Sequence, residues 1–352
     1  MNKYIIYITL VLFSCREEIT LDLPQIDEQM VVQGSIENGF PPYIILTRNQ
    51  GYFDPIDNNT FNNLFIDDAE ITVWTKHSDG TIDSVYLQKL PPPFDSIPIY
   101  TDISYINSVI SNPTIDIPYP FSKEGQTYHL SIKWNETIVT SKTTIPFSTN
   151  LDSIWIEKTE NLSDGEHKCD IRAMYTDPDT IGNNILIRSK RTEHWVIDSI
   201  NQYTNDAIIQ KNDESLILVD CGPDILINGT SFETYFPRPS PQGGFPSGTY
   251  NTNRYKKYQD TTTSGKDSIY IPNDIVLLKF SQVDEASMRF WRGVVRDITS
   301  GGNPFSEPMN LPSNINGGLG IWSGYGATYY KIPIIKDTTI IQEYTPNLFE
   351  IF

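Results

Sequence analysis

Pairs of aspartates are the residues in this 352-residue sequence whose type and spacing most readily suggest chemistry. Asp67 directly precedes Asp68, and Asp177 and Asp179 flank a proline. Two carboxylates held near each other can serve as acid and base on a glycosidic bond, or can bind a cation. Aspartate is also common in turns, because its side chain hydrogen-bonds to the nearby backbone. A hydrolase that uses acidic residues on glycans or peptides is therefore kept as an alternative function.

Other catalytic signatures are missing from the sequence. It contains no Gly-x-Ser-x-Gly, His-Glu-x-x-His, Cys-x-x-Cys or phosphate-loop pattern. The histidines lack the spacing of zinc ligands and are His77, His129, His167 and His194. We therefore expect a non-catalytic protein with no cofactor and no metal centre.

Composition and charge further restrict the possible classes of function and partner. The formal net charge is -18, from 26 basic and 44 acidic residues. Binding to a phosphate backbone needs basic patches, so nucleic acid is excluded as a partner. Hydrophobic residues make up 38% of the chain, including 16 Phe, 20 Tyr and 6 Trp, which predicts a well-packed core. The length is sufficient for two domains.

The first fifteen residues have the pattern of an export signal. Lys3 precedes an apolar run of about ten residues, which suits a signal peptide and falls short of the roughly 20 that span a bilayer. The run ends in Leu-Phe-Ser-Cys, which resembles the bacterial lipobox. This resemblance implies a signal peptide over 1–14 and lipidation of Cys15. An ordinary signal peptide with a chance cysteine is the alternative.

The residues after the cysteine indicate where the chain is delivered. We predict a lipidated tether over 15–28, which begins Arg16-Glu17-Glu18. This run is similar to the short charged signals that send lipoproteins to the outer face of the outer membrane in the Bacteroidota. Several acyl chains would anchor firmly, since each buried methylene contributes about 0.8 kcal/mol. We therefore expect a protein anchored to the outer membrane by lipid and exposed at the cell surface.

Two cysteines remain after lipidation. Cys169 and Cys221 both lie in stretches with strand-like patterns. Outside the cytoplasm such a pair can oxidise to a disulfide. Two buried thiols would leave the same pattern in the sequence, so both alternatives stay open.

Short stretches of alternating apolar and polar residues, separated by turn signals, predict a mainly β protein. The first half, 29–149, is predicted to be an immunoglobulin-like β-sandwich domain. The second half, 150–352, is predicted to be a β-rich domain with one amphipathic helix near 284–298. Asp284 is placed to cap that helix.

Glycine and asparagine concentrate between 313 and 326, where they permit left-handed backbone angles. One interpretation is that this segment packs closely against the protein's own sheet or helix. The other is a ligand-binding lip with aromatic stacking surfaces. The candidate residues of the lip are Asn314, Gly318, Gly320, Trp322 and Tyr325.

A tripeptide of Asp, then Ser or Thr, then an aliphatic residue or Thr recurs along the chain. It resembles the O-glycosylation acceptor of periplasmic and surface proteins in the same phylum. It is also a good beginning for a strand after a turn. The candidate acceptors are Ser84, Ser96, Ser153, Thr180, Ser199, Thr261, Ser268 and Thr338.

Three stretches together resemble one family. They are Met-Val-Val-Gln-Gly at 30–34, Gly-Gln-Thr-Tyr-His-Leu at 125–130, and the segment from Asn303 to Trp322. Over nearly the whole mature chain the sequence is similar to the domain-of-unknown-function 4249 lipoproteins of the Bacteroidota. The resemblance implies an envelope lipoprotein, often encoded beside TonB-dependent outer-membrane receptors. It implies no known reaction and no catalytic residues.

These observations lead to one expected function and one alternative. We expect a non-catalytic outer-membrane lipoprotein that acts as accessory or ligand-capture partner of a TonB-dependent transporter. The alternative is an envelope hydrolase that uses acidic residues.

Overall fold

The structure is a computed structural model. It describes residues 28–50, 63–92, 97–112, 118–161, 166–200, 207–213, 215–236, 254–256, 262–264, 267–269, 275–300, 310–334 and 343–350. The predicted signal peptide, Cys15 and nearly all of the predicted tether lie outside these ranges.

Strands dominate the described chain, so the predicted mainly β class is confirmed. They are β1 Met30–Glu37, β2 Phe40–Arg48, β3 Glu70–Lys76, β4 Ile82–Lys89, β5 Ile99–Thr101, β6 Thr127–Trp134, β7 Thr137–Thr144, β8 Ser153–Asn161, β9 Glu166–Thr176, β10 Asn184–Ile200, β11 Ala207–Asp213, β12 Ile217–Gly222, β13 Ser231–Phe236, β14 Arg254–Lys256, β15 Thr262–Ser264, β16 Asp267–Ile269, β17 Ile275–Val283 and β18 Leu319–Pro333. The helices are α1 Ile103–Ser111 and α2 Glu285–Ser300, with short 3-10 turns at Asp224–Leu226 and Leu348–Glu350.

One long sheet joins the two halves of the chain. Its strand order is β11-β10-β17-β18-β1-β2-β5-β4-β3-β6-β7, and β12 also pairs with β10. The strand β18 pairs in parallel with β1 through its first half and antiparallel with β17 through its second half, and Tyr325 belongs to both pairings. The predicted boundary at residue 149 therefore does not separate two independent sheets, because the far end of the chain supplies a strand to the first half.

The sheet curls until β7 returns to β18. Thr140 and Asn316 exchange two backbone hydrogen bonds of 3.1 and 2.8 Å, and the amide of Gly324 donates to Thr143 Oγ1 at 2.8 Å. A core fills the curl and includes Ile36, Ile71, Val73, Ile132 and Trp322. The immunoglobulin-like detail of the prediction is not confirmed, because the strands follow one continuous path that contains a parallel β1–β18 pair.

A second layer covers one face of β17 and β18. It is a four-stranded sheet ordered β13-β9-β14, with β8 also paired to β9. Its Tyr175 packs against Phe280 of β17, with ring centroids 5.0 Å apart. On the opposite face, Leu277 of β17 belongs to a core that includes Met288 of α2. Covered on both faces, β17 is buried along nearly its whole length.

The predicted amphipathic helix is confirmed as α2. Asp284 caps it by accepting the amide of Ser287 at 2.8 Å. Met288 and Val295 are buried beneath it, four and eleven residues beyond the cap. Within the described ranges, no helix combines the length and apolar character needed to cross a membrane.

The helix α1 was not predicted from the sequence. Asp102 caps it by accepting the amides of Ser104 and Tyr105 at 3.0 and 3.3 Å. Only Ile106 is buried along its length. One buried position gives no helical periodicity in the sequence. The cap and a tertiary contact therefore stabilise this helix.

Of the two alternatives for Cys169 and Cys221, a disulfide or two thiols, the structure supports the thiol at Cys221. Cys221 is a free, buried thiol whose Sγ lies 3.6 Å from the carbonyl oxygen of Met288. It belongs to β12, beneath α2, whereas Cys169 belongs to β9 of the second sheet. The side chain of Cys169 lies outside the described residues.

We expect Cys221 to resist alkylation in the folded protein. Burial, and secondarily the charge of Asp220, raises the pKa of this thiol to about 12. Iodoacetamide at pH 8 should therefore label Cys221 only after unfolding, as mass spectrometry of peptides can show. A Cys221→Ser variant identifies the labelled peptide. Failure to label Cys221 in denaturant without reductant would instead reveal a disulfide.

Candidate functional site

A cleft of about 580 Å³ opens beside the second half of β18. Three segments that are distant in sequence form its walls: the turn between β1 and β2, the helix α1, and the C-terminal segment 343–350. Its aromatic and amide lining residues are Phe40, Tyr105, Tyr329, Tyr344, Asn38, Asn150 and Asn347.

The β1–β2 turn is fixed by its asparagine. Asn38 Oδ1 accepts the amide of Ala327 at 2.7 Å, and its Nδ2 donates to the carbonyl of the same residue at 3.4 Å. Gly39 adopts a φ of 79°, and its amide donates to Ser122. These contacts place Phe40 at the cleft, with its ring edge-on to Tyr329 at a centroid distance of 6.2 Å.

The C-terminal wall is attached to β18 by backbone and side-chain contacts. The amide of Tyr344 donates to the carbonyl of Tyr329 at 2.8 Å, and its hydroxyl donates to Glu350 at 2.6 Å. Lys331 Nζ lies 4.6 Å from the centre of the Tyr344 ring. Burial and the Glu350 carboxylate raise the pKa of Tyr344, so its hydroxyl stays protonated at neutral pH. This ring is therefore held in a defined place at the cleft.

A buried ion pair lies beneath the cleft. Lys279 of β17 and Glu37 of β1 are 6% and 5% exposed, and the ammonium donates to the carboxylate. Burial lowers the pKa of Lys279, and the charge of Glu37 opposes that shift. The hydroxyl of Tyr329 donates to the same carboxylate at 2.5 Å. The charges of Lys279 and Glu37 are thus satisfied within the protein. Through its hydrogen bond to Glu37, the Tyr329 ring is held in place at the cleft.

Replacing Tyr329 by phenylalanine should destabilise the fold by about 1.5–3 kcal/mol, because a buried carboxylate loses a hydrogen bond. Urea denaturation measures this. The matched control is Tyr344→Phe, whose partly solvated hydroxyl should contribute less than about 1 kcal/mol. Equal losses in the two variants would show that the bond to Glu37 adds no special stability.

The predicted ligand lip is not a surface feature. Trp322 is 0% exposed, and its Nε1 donates to the carbonyl of Tyr128 at 3.2 Å. Tyr325 is 2% exposed. Asn314 accepts the amide of Trp322 at 2.9 Å and donates to its carbonyl at 2.7 Å. Both rings face the interior, so they offer no stacking surface to a ligand.

The glycines of the same segment permit close packing of two strands. A β-carbon at Gly318 would lie 2.8 Å from the carbonyl oxygen of Met30. At Gly320 it would lie 2.0 Å from that of Val32, and Gly320 also has a φ of 101°. Of the two interpretations of this segment, the structure has the one in which it packs against the protein's own sheet.

Neither aspartate pair lines the cleft. Asp67 accepts from Lys89 at 2.7 Å, and Asp68 accepts from Trp134 Nε1 at 2.8 Å, so the two carboxylates have separate partners. Asp177 is 1% exposed, and burial together with the nearby charge of Asp224 raises its pKa.

The candidate glycosylation sites differ in accessibility. Ser84 and Thr180 are exposed, and Ser153 is half-buried. The others lie outside the residues whose side chains the structure describes, and they are Ser96, Ser199, Thr261, Ser268 and Thr338. Glycosylation therefore stays a prediction, and Ser84 and Thr180 are its most accessible sites among the described side chains.

A second cleft, of about 480 Å³, lies near the start of β18, and Asn314 lines it. Trp74 and His129 stack at its side, with centroids 3.9 Å apart and planes 9° from parallel. Burial and the charge of Lys142 lower the pKa of His129. Asn314 is thus the one predicted lip residue that lines a described cleft.

The family of the chain follows from a comparison with known sequence families. A family model for a domain of unknown function (DUF4249) matches residues 16–331. The chain belongs to this family. No curated protein matches the DUF4249 chain.

One solved structure with a weak likeness to this DUF4249 chain is the native conformation of E. coli alpha-2-macroglobulin. The two are 11% identical, with a TM-score of 0.20 over 76% of this chain. The chain spans 14% of the length of that protein. A likeness at this level assigns neither fold nor function.

The stretches that resemble the DUF4249 family meet at Trp322. Gly34 pairs with Trp322 across β1 and β18, and a β-carbon there would lie 2.7 Å from the indole ring. Tyr128, from the second stretch, accepts the indole hydrogen bond at 3.2 Å. The family pattern in this chain therefore describes a packing centre. The residues that line the cleft beside β18 lie outside these stretches.

Proposed function

We propose that this DUF4249 chain is a non-catalytic outer-membrane lipoprotein, anchored through Cys15 and exposed at the cell surface. It acts as accessory or ligand-capture partner of a TonB-dependent transporter. The cleft beside β18 supports the binding role, and the family and the N-terminal sequence support the location.

The lining of the cleft suits binding better than catalysis. Phe40, Tyr105 and Tyr344 present aromatic surface, on which apolar side chains or sugar faces can pack. Among the described residues that line it, Glu343 is the only carboxylate. Its Oε1 accepts the side-chain amide of Asn150. An acid–base pair is therefore not available in this lining, whereas an aromatic binding surface is.

Ligand capture can be tested by native mass spectrometry of the lipoprotein released from its own membranes. Wild type should carry additional bound mass. Phe40→Ala and Tyr344→Ala should lose it, because each removes an aromatic wall of the cleft. The control Tyr86→Ala alters a tyrosine that is 54% exposed on β4. Bound mass that persists in both cleft variants would place the ligand elsewhere.

The anchor is tested by Cys15→Ala. Labelled palmitate should be incorporated into wild type only, and the amount of membrane-associated protein should fall sharply in the variant. Equal palmitate incorporation in the two proteins would contradict lipidation at Cys15.

The envelope hydrolase is the alternative. The raised pKa of Asp177 suits a general acid, but a side chain that is 1% exposed is closed to substrate. Turnover of a glycan or peptide that is abolished by both Asp177→Asn and Asp179→Asn would favour the hydrolase over the binding protein.

A further inference from the structure

Two loops at one end of the second sheet bring oxygen-rich side chains together. One loop follows β9 and contains Asp177, and the other precedes β13 and contains Asp224. The amide of Asp177 donates to the carbonyl of Thr230 at 3.0 Å. Asn228 Nδ2 donates to Asp179 Oδ1 at 3.1 Å. The loops are therefore in direct contact.

The two carboxylates at this contact are buried. Asp177 is 1% exposed and Asp224 is 2% exposed. Gly182 donates its amide to Asp224 Oδ2 at 2.7 Å, and the next residue, Asn183, donates to Asp177 Oδ1 at 3.3 Å. The carboxylates thus bond to consecutive residues of one loop. These donors are neutral, as are the Tyr175 hydroxyl, which lies 2.8 Å from Asp177 Oδ1, and the backbone amide of Gly229, which also acts on the Asp177 carboxyl.

Three buried oxygen atoms in the same cluster lack a hydrogen-bond donor among the described residues. They are Asp177 Oδ2, Asn183 Oδ1 and Asn228 Oδ1. Buried polar atoms are rarely left unpaired, because each costs about 1–3 kcal/mol. All three are hard oxygen acceptors, which is the ligand type that calcium prefers. A cation would satisfy the oxygens and also offset the repulsion between the two carboxylates.

We propose that this cluster binds a divalent cation of the calcium type. Asp177 and Asp224 supply the negative charge, and Asn183 and Asn228 supply neutral oxygens. Calcium accepts six to eight oxygens in flexible geometry, so backbone carbonyls and water complete its shell. Magnesium demands a tighter octahedron and loses water reluctantly, so it fits a cluster of amide oxygens less well. The bound cation would join the loops at the ends of β9 and β13. This site is independent of the cleft.

The test is thermal unfolding of the full-length lipoprotein in detergent, with EDTA or with added CaCl₂. Calcium should raise the Tm of wild type by about 4 °C at roughly 100 times its Kd. MgCl₂ at the same concentration should raise it less. Asp177→Asn and Asp224→Asn should each abolish the calcium response. Glu70→Gln, which alters an exposed carboxylate on β3, should keep it.

The Tm of each variant in EDTA shows whether a substitution removes only the cation site or also destabilises the fold. Without the cation, Asp177→Asn should melt no lower than wild type, because the substitution removes repulsion between two buried carboxylates. A second readout is Tb³⁺ luminescence excited through tyrosine, since Tyr175 contacts Asp177. CaCl₂ should displace the Tb³⁺ signal from wild type. An unchanged wild-type Tm with calcium, or a calcium response in the Asn variants as large as that of wild type, would overturn the proposal.

Discussion

Replacing Gly320 by alanine should abolish stable pairing between β18 and β1. The added β-carbon would lie 2.0 Å from the carbonyl oxygen of Val32, and the residue has a φ of 101°. Left-handed strain and steric overlap each contribute about 1–3 kcal/mol, so we expect a loss of roughly 4 kcal/mol. Because β18 joins both halves of the long sheet, the whole described fold should lose stability together.

Urea denaturation of Gly320→Ala beside Gly80→Ala measures this effect. Gly80 also has a positive φ, of 88°, but a β-carbon there would meet no atom within 4 Å. The control should therefore lose only about 1–2 kcal/mol, from the backbone angle alone. Similar losses in the two variants would show that β18 does not approach β1 as closely as the structure indicates.

Truncating Trp322 to alanine should destabilise the protein by about 3–5 kcal/mol, the usual cost of deleting a large buried aromatic side chain. The indole is 0% exposed. Its loss would empty the space that Gly34 leaves open and would remove the donor to Tyr128. A clear drop in Tm is the expected result.

Trp74→Ala is the matched control for this truncation. Trp74 is half-buried and stacks on His129 at the side of the second cleft. Its removal should cost less than that of Trp322, because less of its surface is withdrawn from water. An unchanged Tm for Trp322→Ala would contradict the core position and would restore the ligand lip as an explanation of the glycine-rich segment.

Local sequence patterns predicted the helices and strands whose formation depends on residues close in sequence. The helix α2 shows an apolar stripe and a capping aspartate, Asp284, and both appear in the structure. Alternation in β3 predicted its buried face, where Ile71 and Val73 enter the core. The helix α1 escaped prediction because its single buried residue, Ile106, gives no period.

Long-range pairing could not be predicted from these patterns. The sequence indicates that β1 is a strand, but it does not identify the glycine-rich segment as part of a strand that lies parallel to β1. Trp322 illustrates the consequence. An aromatic residue after glycines fits a ligand surface or a core equally well in sequence, and the choice depends on Gly34, which lies 288 positions away.

The cleft escaped prediction for a related reason. Its walls come from a tight turn at 38–40, the helix α1 and the C-terminal segment, none of which carries a chemical signature by itself. The sequence suggests Asp177 and Asp179 as a pair of carboxylates. In the structure, the buried carboxylate whose charge acts on Asp177 is that of Asp224, from another loop. The cleft and the aspartate cluster both depend on contacts between loops, which sequence spacing does not encode.

Affinity purification of the full-length chain from crosslinked native membranes tests the proposed function most directly. The wild-type lipoprotein should recover a TonB-dependent receptor, identified by mass spectrometry. Cys15→Ala should recover little of it, because the unlipidated chain would not reach the membrane. Recovery of the wild-type lipoprotein alone, at a crosslinking level that captures known outer-membrane complexes, would contradict the proposed partnership.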